Sequence, residues 1–295
     1  MAENQKFGEK SVQILVSAKK QKTISRSFSI TGKGLHYGKD TRVEVHPAKV
    51  DRGIVFQVFQ NQKDLFIPTH FYHLHDGNRN STLLKEGVSL STVEHFLAAA
   101  WGADVDNLLV KVEGDELPAG EGNCSLWIEN FNRVGYKEQK LNRVYYQIDE
   151  TLVVGNCGKY LFALPSNVFK VTYFLDYFFE STFALCMTFS EDETEFLKIA
   201  QARTFAFQDE IQYIIQTGLG KGVKDSALIL DNKGRADKSL YIQGEPVYHK
   251  IIDLIGDLML LGRRIVGHFV GIRSGHSLNH QMVKLIAKKA RLFDE

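Results

Sequence analysis

The stretch EPVYHKIIDLIGDL, residues 245–258, has the pattern of a helix that lies in a protein core. Pro246 suits a first helical turn, where its missing N–H costs nothing. His249, Asp253 and Asp257 follow one another at intervals of four, so they lie near one line on the helix surface. The pair His249 and Asp253 alone also fits an ordinary surface or capping pair. Three ionisable groups on so apolar a segment, however, need partners if they are buried, and a metal ion with a second histidine would supply them.

A second helix is predicted in STVEHFLAAAWG, residues 91–102, and it contains Glu94 and His95. His95 could be a further metal ligand, and Glu94 could take a proton from water. Ser91 and Glu94 also match the capping box S-x-x-E, in which the glutamate bonds back to the backbone at the helix start. On the pattern alone, we expect capping for Glu94 and a core position for His95.

Two further segments contain candidate polar groups. IRSGHSLNH, residues 272–280, places His276 after a glycine, between a strand and a helix, where a histidine can serve as a general acid. ARTFAFQDE, residues 202–210, places Thr204 in an extended stretch, where its hydroxyl could donate to an oxyanion. Each segment by itself is weak evidence for a catalytic group. Two histidines and one aspartate with an open fourth position are nevertheless the pattern of a catalytic zinc site.

Composition excludes several classes of protein. The 295 residues are 44% hydrophobic and 24% charged with a net charge of +1, so charge favours neither a nucleic acid nor a membrane surface as a partner. The widely spaced Cys124, Cys157 and Cys186 fit neither a disulfide framework nor a CxxC site, and they favour a reducing compartment. We find no secretory signal and no run of about 18 apolar residues that could span a membrane.

The order of patterns along the chain predicts an α+β protein built from two similar halves. Strand patterns precede helix patterns in each half. We expect a loosely ordered N-terminal extension over residues 1–22, a first α+β domain over 23–140 and a second over 141–295.

Several segments together resemble the family of UDP-3-O-acyl-N-acetylglucosamine deacetylases, the zinc amidases of lipid A synthesis in Gram-negative bacteria. The signature-like segments are TGKGLHYGKDTRVEVHPA, STVEHFLAAAWGADVDNLLVKV, ARTFAF, EPVYHKIIDLIGDLMLLG and SGHSLN, and the similarity extends over about residues 25–290 in the family's order. The resemblance implies a two-layered sandwich of two α+β domains, with helices packed between two sheets. It also implies an apolar passage for an acyl chain, near residues 171–189.

The resemblance also assigns roles to particular residues. His95, His249 and Asp253 would hold a zinc ion. Glu94 would be the general base, His276 the cationic general acid, Asp257 the residue that orients His276, and Thr204 a donor to the oxyanion. Lys250 would face the nucleotide diphosphate, with Phe207 and Glu210 near the nucleoside or its sugar.

The implied enzyme is a zinc-dependent hydrolase that removes the N-acetyl group from a UDP-linked, acylated glucosamine. We expect a cytoplasmic monomer with at most peripheral contact to the inner membrane and no nucleic acid partner. Departures from the family pattern, such as Glu121 where aspartate is usual and Tyr248 where arginine is common, affect only substrate details. Two alternatives stay open: a deacetylase of the same mechanism that acts on another N-acetyl sugar, and a non-catalytic relative that binds metal or nucleotide sugar.

Overall fold

The computed structural model describes residues 11–60, 62–77, 79–176 and 184–292. Sheets and helices are both abundant in these residues, which confirms the predicted α+β class. None of the described helices combines the length and the apolar character needed to cross a membrane.

As predicted, several strands precede the helices in each half of the described residues. In chain order, the strands are β1 (Val12–Ile24), β2 (Phe28–Lys33), β3 (Asp40–Pro47), β4 (Ile54–Gln60), β5 (Lys63–Pro68), β6 (Leu74–Asp76), β7 (Ser81–Lys85), β8 (Val88–Ser91), β9 (Leu108–Glu113), β10 (Tyr136–Ile148), β11 (Leu152–Asn156), β12 (Lys159–Leu164), β13 (Phe169–Asp176), β14 (Ala184–Ser190), β15 (Phe205–Phe207), β16 (Leu228–Leu230) and β17 (Arg264–Ile272). The helices are α1 (Glu94–Gly102), α2 (Ser125–Val134), α3 (Phe196–Ile199), α4 (Ile211–Gln216), α5 (Glu245–Leu258) and α6 (His276–Lys289). Strands β9 and β15 to β17, however, follow a helix.

Two large sheets contain most of these strands. The first has the order β2-β3-β9-β4-β5. The second has the order β1-β10-β17-β12-β11, and β13 and β14 join it through β17. Strands β6, β7 and β8 form a separate three-stranded sheet, and β15 pairs with β16. Most strands of the first half of the chain therefore lie in the first sheet, and most strands of the second half lie in the second sheet.

Helices α1 and α5 lie in the interior, where α1 contacts strands of both large sheets and α5 contacts the second sheet. Phe96 of α1 packs edge-on against Phe56 of β4, with 5.6 Å between ring centroids. The ring centroid of Trp101, near the end of α1, lies 4.9 Å from that of Phe169 of β13 in the second sheet. Helix α5 contacts β13 and β14 of the same sheet. Nearly every residue of both helices is buried, as expected for helices that are covered on several sides.

The two central helices meet at Gly256 of α5. A β-carbon on Gly256 would lie 2.1 Å from the carbonyl oxygen of Glu94 on α1, so the backbones could not approach this closely with any other residue there. Gly256 lies between Asp253 and Asp257. The close approach therefore places the start of α1 beside both aspartates.

The first strand corrects the expectation of a loosely ordered extension for residues 12–22, whereas residues 1–10 lie outside the described residues. Residues 12–24 form β1, which pairs antiparallel with β10 from Val12↔Ile148 to Ile24↔Tyr136. β1 is an edge strand, and most of its first ten residues are exposed or only half-buried, so its lysines do not prevent pairing. The predicted domain limits at 22 and 140 fall inside β1 and β10. The division into 23–140 and 141–295 stays a prediction.

We expect the substitution Gly256→Ala to lower the midpoint of thermal unfolding, Tm. In an unconstrained helix interior, Gly→Ala gains about 1 kcal/mol of stability. Here the added methyl group must push α1 and α5 apart, and such overpacking costs roughly 1–3 kcal/mol. Gly275→Ala is the matched control, because nothing lies within 4 Å of the β-carbon that it adds. A Tm for Gly256→Ala at or above that of the wild type, measured by calorimetry, would contradict the close contact.

Candidate active site and metal centre

Two imidazoles and a carboxylate meet between α1 and α5. His249 and Asp253 lie one turn apart on α5, and His95 faces them from α1. The Nε2 atoms of His95 and His249 each lie 3.4 Å from Oδ1 of Asp253. One potential ligand atom from each residue lies within 4.8 Å of the other two, and all three side chains are buried. The structure thus brings together the three residues that the resemblance implied as ligands.

Neighbouring groups hydrogen-bond to one polar atom of His249 and one of Asp253, so that the other polar atom of each side chain is available to bind a metal. Nδ1 of His249 donates to the carbonyl oxygen of Ala202 at 3.1 Å, which leaves the Nε2 lone pair for a metal. Oδ2 of Asp253 accepts from Nζ of Lys250 at 2.5 Å, whereas Oδ1 has no hydrogen-bond donor among the described residues. A buried carboxylate oxygen without a donor costs free energy. A cation held by the two imidazoles and this oxygen would remove that cost, so the donor set fits a metal ion.

The protonation states of the cluster also suit a metal. Burial lowers the pKa of His249 to about 4, so the imidazole is neutral near neutral pH. Burial alone would raise the pKa of Asp253, but the neighbouring His249 and the ammonium group of Lys250 hold it well below its ordinary value. A neutral imidazole and an ionised carboxylate are the forms in which these side chains bind divalent metals.

Glu94 faces the same space and does not cap its helix, so the expected capping box is wrong. α1 begins at Glu94, and no described side chain caps it. The N–H of Ser91, in β8, donates to the carbonyl oxygen of Asp115 at 2.9 Å, so it is not available to a capping glutamate. Oε2 of Glu94 instead accepts from the N–H of Ser81 at 3.0 Å. Burial raises the pKa of Glu94 to about 7, against the opposing effect of nearby imidazoles.

His276 lies close to both Glu94 and Asp253 and is held by Asp257. Nδ1 of His276 donates to Oδ2 of Asp257 at 2.8 Å. Its Nε2 lies 3.9 Å from Oε1 of Glu94 and 3.8 Å from Oδ2 of Asp253. Burial would lower the pKa of His276, but the Asp257 carboxylate raises it to about 9, so the imidazole is protonated near neutral pH. His276 is the first residue of α6 rather than part of the preceding loop.

One cavity of about 990 Å³ connects these groups with the other predicted residues. The predicted site residues that line it are Glu94, His95, Thr204, Phe207, Glu210, His249, Lys250, Asp253 and His276. Asp257 is fully buried and contacts this group through His276. The structure therefore brings the dispersed sequence segments to one place.

The cavity lining combines basic and apolar side chains. Besides Lys250, its basic residues are Arg79, Lys159, Lys221, Lys224 and Arg273. Apolar side chains in the lining include Ile211, Ile214, Ile215, Leu219 and Val223. A lining of this kind suits a ligand that has both an anionic and an apolar part.

Sequence reasoning missed Arg79 and Ser81, which precede and begin β7. Arg79 donates from its two terminal nitrogens to the carboxylate of Glu210 at 3.1 and 3.0 Å, so Glu210 already has a cationic partner. Ser81 contacts Glu94, as described above. Both residues lie in HDGNRNSTLL, residues 75–84, whose strands are too short to produce a clear alternating pattern. The polar run before the apolar pair Leu83 and Leu84 was the only available signal.

Comparisons with known proteins point to the same family that the sequence segments resemble. A family model described as UDP-3-O-acyl N-acetylglycosamine deacetylase matches residues 21–288. Curated relatives named UDP-3-O-acyl-N-acetylglucosamine deacetylase include one from Teredinibacter turnerae, which is 34% identical over 92% of this chain and 91% of its own. Another, from Chlamydia pneumoniae, is 33% identical over 92% of this chain and 98% of its own.

We expect the purified protein to bind a divalent metal and the variant His249→Ala to lose most of it, because the variant removes one ligand and its orienting bond to Ala202. Metal content is measured by mass spectrometry after dialysis against a weak chelator, with circular dichroism to show that the variant is folded. Wild-type metal content in His249→Ala would contradict the ligand assignment.

The matched control is His280→Ala. His280 belongs to a second group of potential ligand atoms, formed with Asp257 and His276. We expect this variant to retain its metal, because those three residues already bond to one another or to Ser81. Metal loss from His280→Ala, together with retention in His249→Ala, would place the ion in the second group.

Proposed function

We propose that this chain, which belongs to the UDP-3-O-acyl N-acetylglycosamine deacetylase family, removes the N-acetyl group from UDP-3-O-(3-hydroxyacyl)-N-acetylglucosamine in lipid A synthesis. Water adds to the amide, and the products are acetate and the free sugar amine. The observation that carries the proposal is the placement of Glu94 and His276 beside the cluster of His95, His249 and Asp253 in one cavity. Amide hydrolysis needs one group that takes a proton and another that gives one.

In this proposal, His95, His249 and Asp253 hold a zinc ion. Two imidazoles and one carboxylate are a ligand set of catalytic zinc sites, which keep a fourth position open. Two observations support this assignment: Oδ1 of Asp253 has no donor in the part of the chain that the structure describes, and a hydrogen bond orients His249. Zinc, when bound, polarises a carbonyl group and makes water more acidic.

Glu94 takes the proton of the attacking water, and His276 gives a proton to the departing amine. Oε2 of Glu94 is bonded to Ser81, while Oε1 is the oxygen nearer to His276. Nδ1 of His276 is committed to Asp257, so Nε2 is the atom that can donate. A sugar amine is a poor leaving group until it is protonated, which is why a second proton-handling group is required.

The remaining predicted residues contact the substrate. Thr204 is held by its N–H, which donates to the carbonyl oxygen of Gly122 at 2.8 Å, and its hydroxyl would donate to the oxyanion. Lys250 would approach the diphosphate, although its ammonium group also bonds to Asp253. Phe207 and Glu210 would lie near the nucleoside or its sugar, where Arg79 already pairs with Glu210.

The acyl chain would occupy the apolar part of the site. The apolar side chains that line the cavity support this assignment. Of the segment that the resemblance places along the acyl chain, residues 177–183 lie outside the described residues. A cytoplasmic monomer with at most peripheral membrane contact stays a prediction.

We expect acetate release from UDP-3-O-acyl-N-acetylglucosamine with kcat/KM at least about 100-fold above that for UDP-N-acetylglucosamine. Burial of a few methylene groups of the acyl chain, at about 0.8 kcal/mol each, is enough to produce this difference. Both substrates are assayed with the metal-loaded wild-type protein. Equal values would contradict acyl recognition and favour another N-acetyl sugar. No release from either substrate would favour the non-catalytic relative.

We expect Glu94→Gln to lower kcat by about 10²–10⁴-fold without loss of metal, because the amide keeps the size of the side chain but cannot take a proton. The control Glu113→Gln changes an exposed glutamate of β9 and leaves kcat unchanged. Should Glu94→Gln turn over at the wild-type rate, Glu94 is not the base.

A further inference from the structure

We infer that Ser81 is a positioning residue that joins Glu94 to Asp257 and thereby fixes the orientation of His276 relative to Glu94. Its backbone N–H donates to Oε2 of Glu94 at 3.0 Å, and its hydroxyl donates to Oδ1 of Asp257. The two carboxylates lie on different helices, α1 and α5, while Ser81 is the first residue of β7. This inference rests on the proposed function.

The direction of each hydrogen bond follows from the groups involved. A carboxylate only accepts, so the Ser81 hydroxyl gives its single proton to Asp257. With that proton used, Oγ of Ser81 accepts from His280, whose Nε2 lies 2.6 Å away. The bonds therefore run in one direction, from His280 to Ser81 to Asp257, and all three residues are at most 2% exposed.

Asp257 is held by three side-chain donors. Ser81 binds Oδ1, while Nδ2 of Asn279 and Nδ1 of His276 each lie 2.8 Å from Oδ2. Without the Ser81 hydroxyl, Oδ1 loses this donor, and Nε2 of His280 is 3.9 Å away, too far to replace it. The carboxylate can then rotate about its bond to the β-carbon. Since Oδ2 orients His276, that rotation would move the imidazole away from its place near Glu94.

The geometry allows the two contacts of Ser81 to be separated. The bond to Glu94 comes from the backbone and survives a change of side chain. The bond to Asp257 comes from the hydroxyl and is removed by Ser81→Ala, which adds no atoms. This variant therefore removes the bonds of the hydroxyl to Asp257 and His280 and keeps the bond to Glu94, and the cycle with Asp257→Ala below isolates the link to Asp257.

We expect Ser81→Ala to lower kcat by about 10- to 100-fold, as loss of partners of active-site groups does in metal enzymes, with KM and metal content unchanged. The decisive readout is a double-mutant cycle with Asp257→Ala. If Ser81 acts through Asp257, Ser81→Ala has little further effect on kcat once Asp257 is alanine. A role in general stability would leave the two effects independent.

Thr82→Val is the matched control. The hydroxyl of Thr82 donates to Oδ1 of Asn80 and lies 3.1 Å from the Ser91 hydroxyl, and it does not bond to Asp257. Thr82→Val therefore removes a buried hydroxyl from the same strand without touching the proposed link. We expect its kcat to equal that of the wild type. Should Ser81→Ala fail to fold, Ser81→Cys takes its place, since a thiol of similar size is a weaker donor. It is expected to lower kcat with the same dependence on Asp257.

Wild-type kcat in a folded, metal-loaded Ser81→Ala, or in Ser81→Cys where it substitutes, would overturn the inference. The inference would also be overturned if the fold-loss of kcat in the double variant equalled the product of the fold-losses in the two single variants. Failure of the proposed function is distinguishable, because the wild-type protein itself would then release no acetate in the same assay.

Discussion

The close approach of α1 and α5 at Gly256 is the constraint on which the site depends. Each helix alone carries an incomplete set of groups: α1 offers Glu94 and His95, and α5 offers His249, Asp253 and Asp257. Only a backbone contact without an intervening side chain brings the two sets within bonding distance. The two large sheets contribute by covering the paired helices, which removes water from the groups between them.

Three buried carboxylates in this space differ because their partners differ. Asp253 bonds to Lys250 and faces two imidazoles, so it stays ionised. Asp257 accepts from side-chain donors, and these hold its pKa below its ordinary value although burial opposes them. Glu94 accepts a backbone N–H, and burial raises its pKa more than the nearby imidazoles of His276 and His95 lower it. In the proposed function, the same functional group therefore serves as a metal ligand in Asp253, as an orienting group in Asp257 and as a base in Glu94.

Much of this site could be predicted from the sequence because its residues lie on strongly patterned helices. The spacing of His249, Asp253 and Asp257 placed them on one line of α5, and the family resemblance supplied the segments with Glu94, His95 and His276. The capping box of Ser91 and Glu94 was wrong because tertiary pairing of β8 had already used the backbone donor. Ser81 was missed because its role arises only where a short strand meets two helices. Residues 12–22 were misjudged because an edge strand can be rich in lysine.

The position of the bound metal tests the central claim most directly. Crystals of the zinc-loaded protein, measured on both sides of the zinc absorption edge, would show it as an anomalous difference peak. The geometry predicts a peak about 2.0–2.2 Å from Nε2 of His95, Nε2 of His249 and the carboxylate of Asp253. A peak among Asp257, His276 and His280 instead, or no peak in crystals of active protein, would contradict the assembly of a metal centre by α1 and α5.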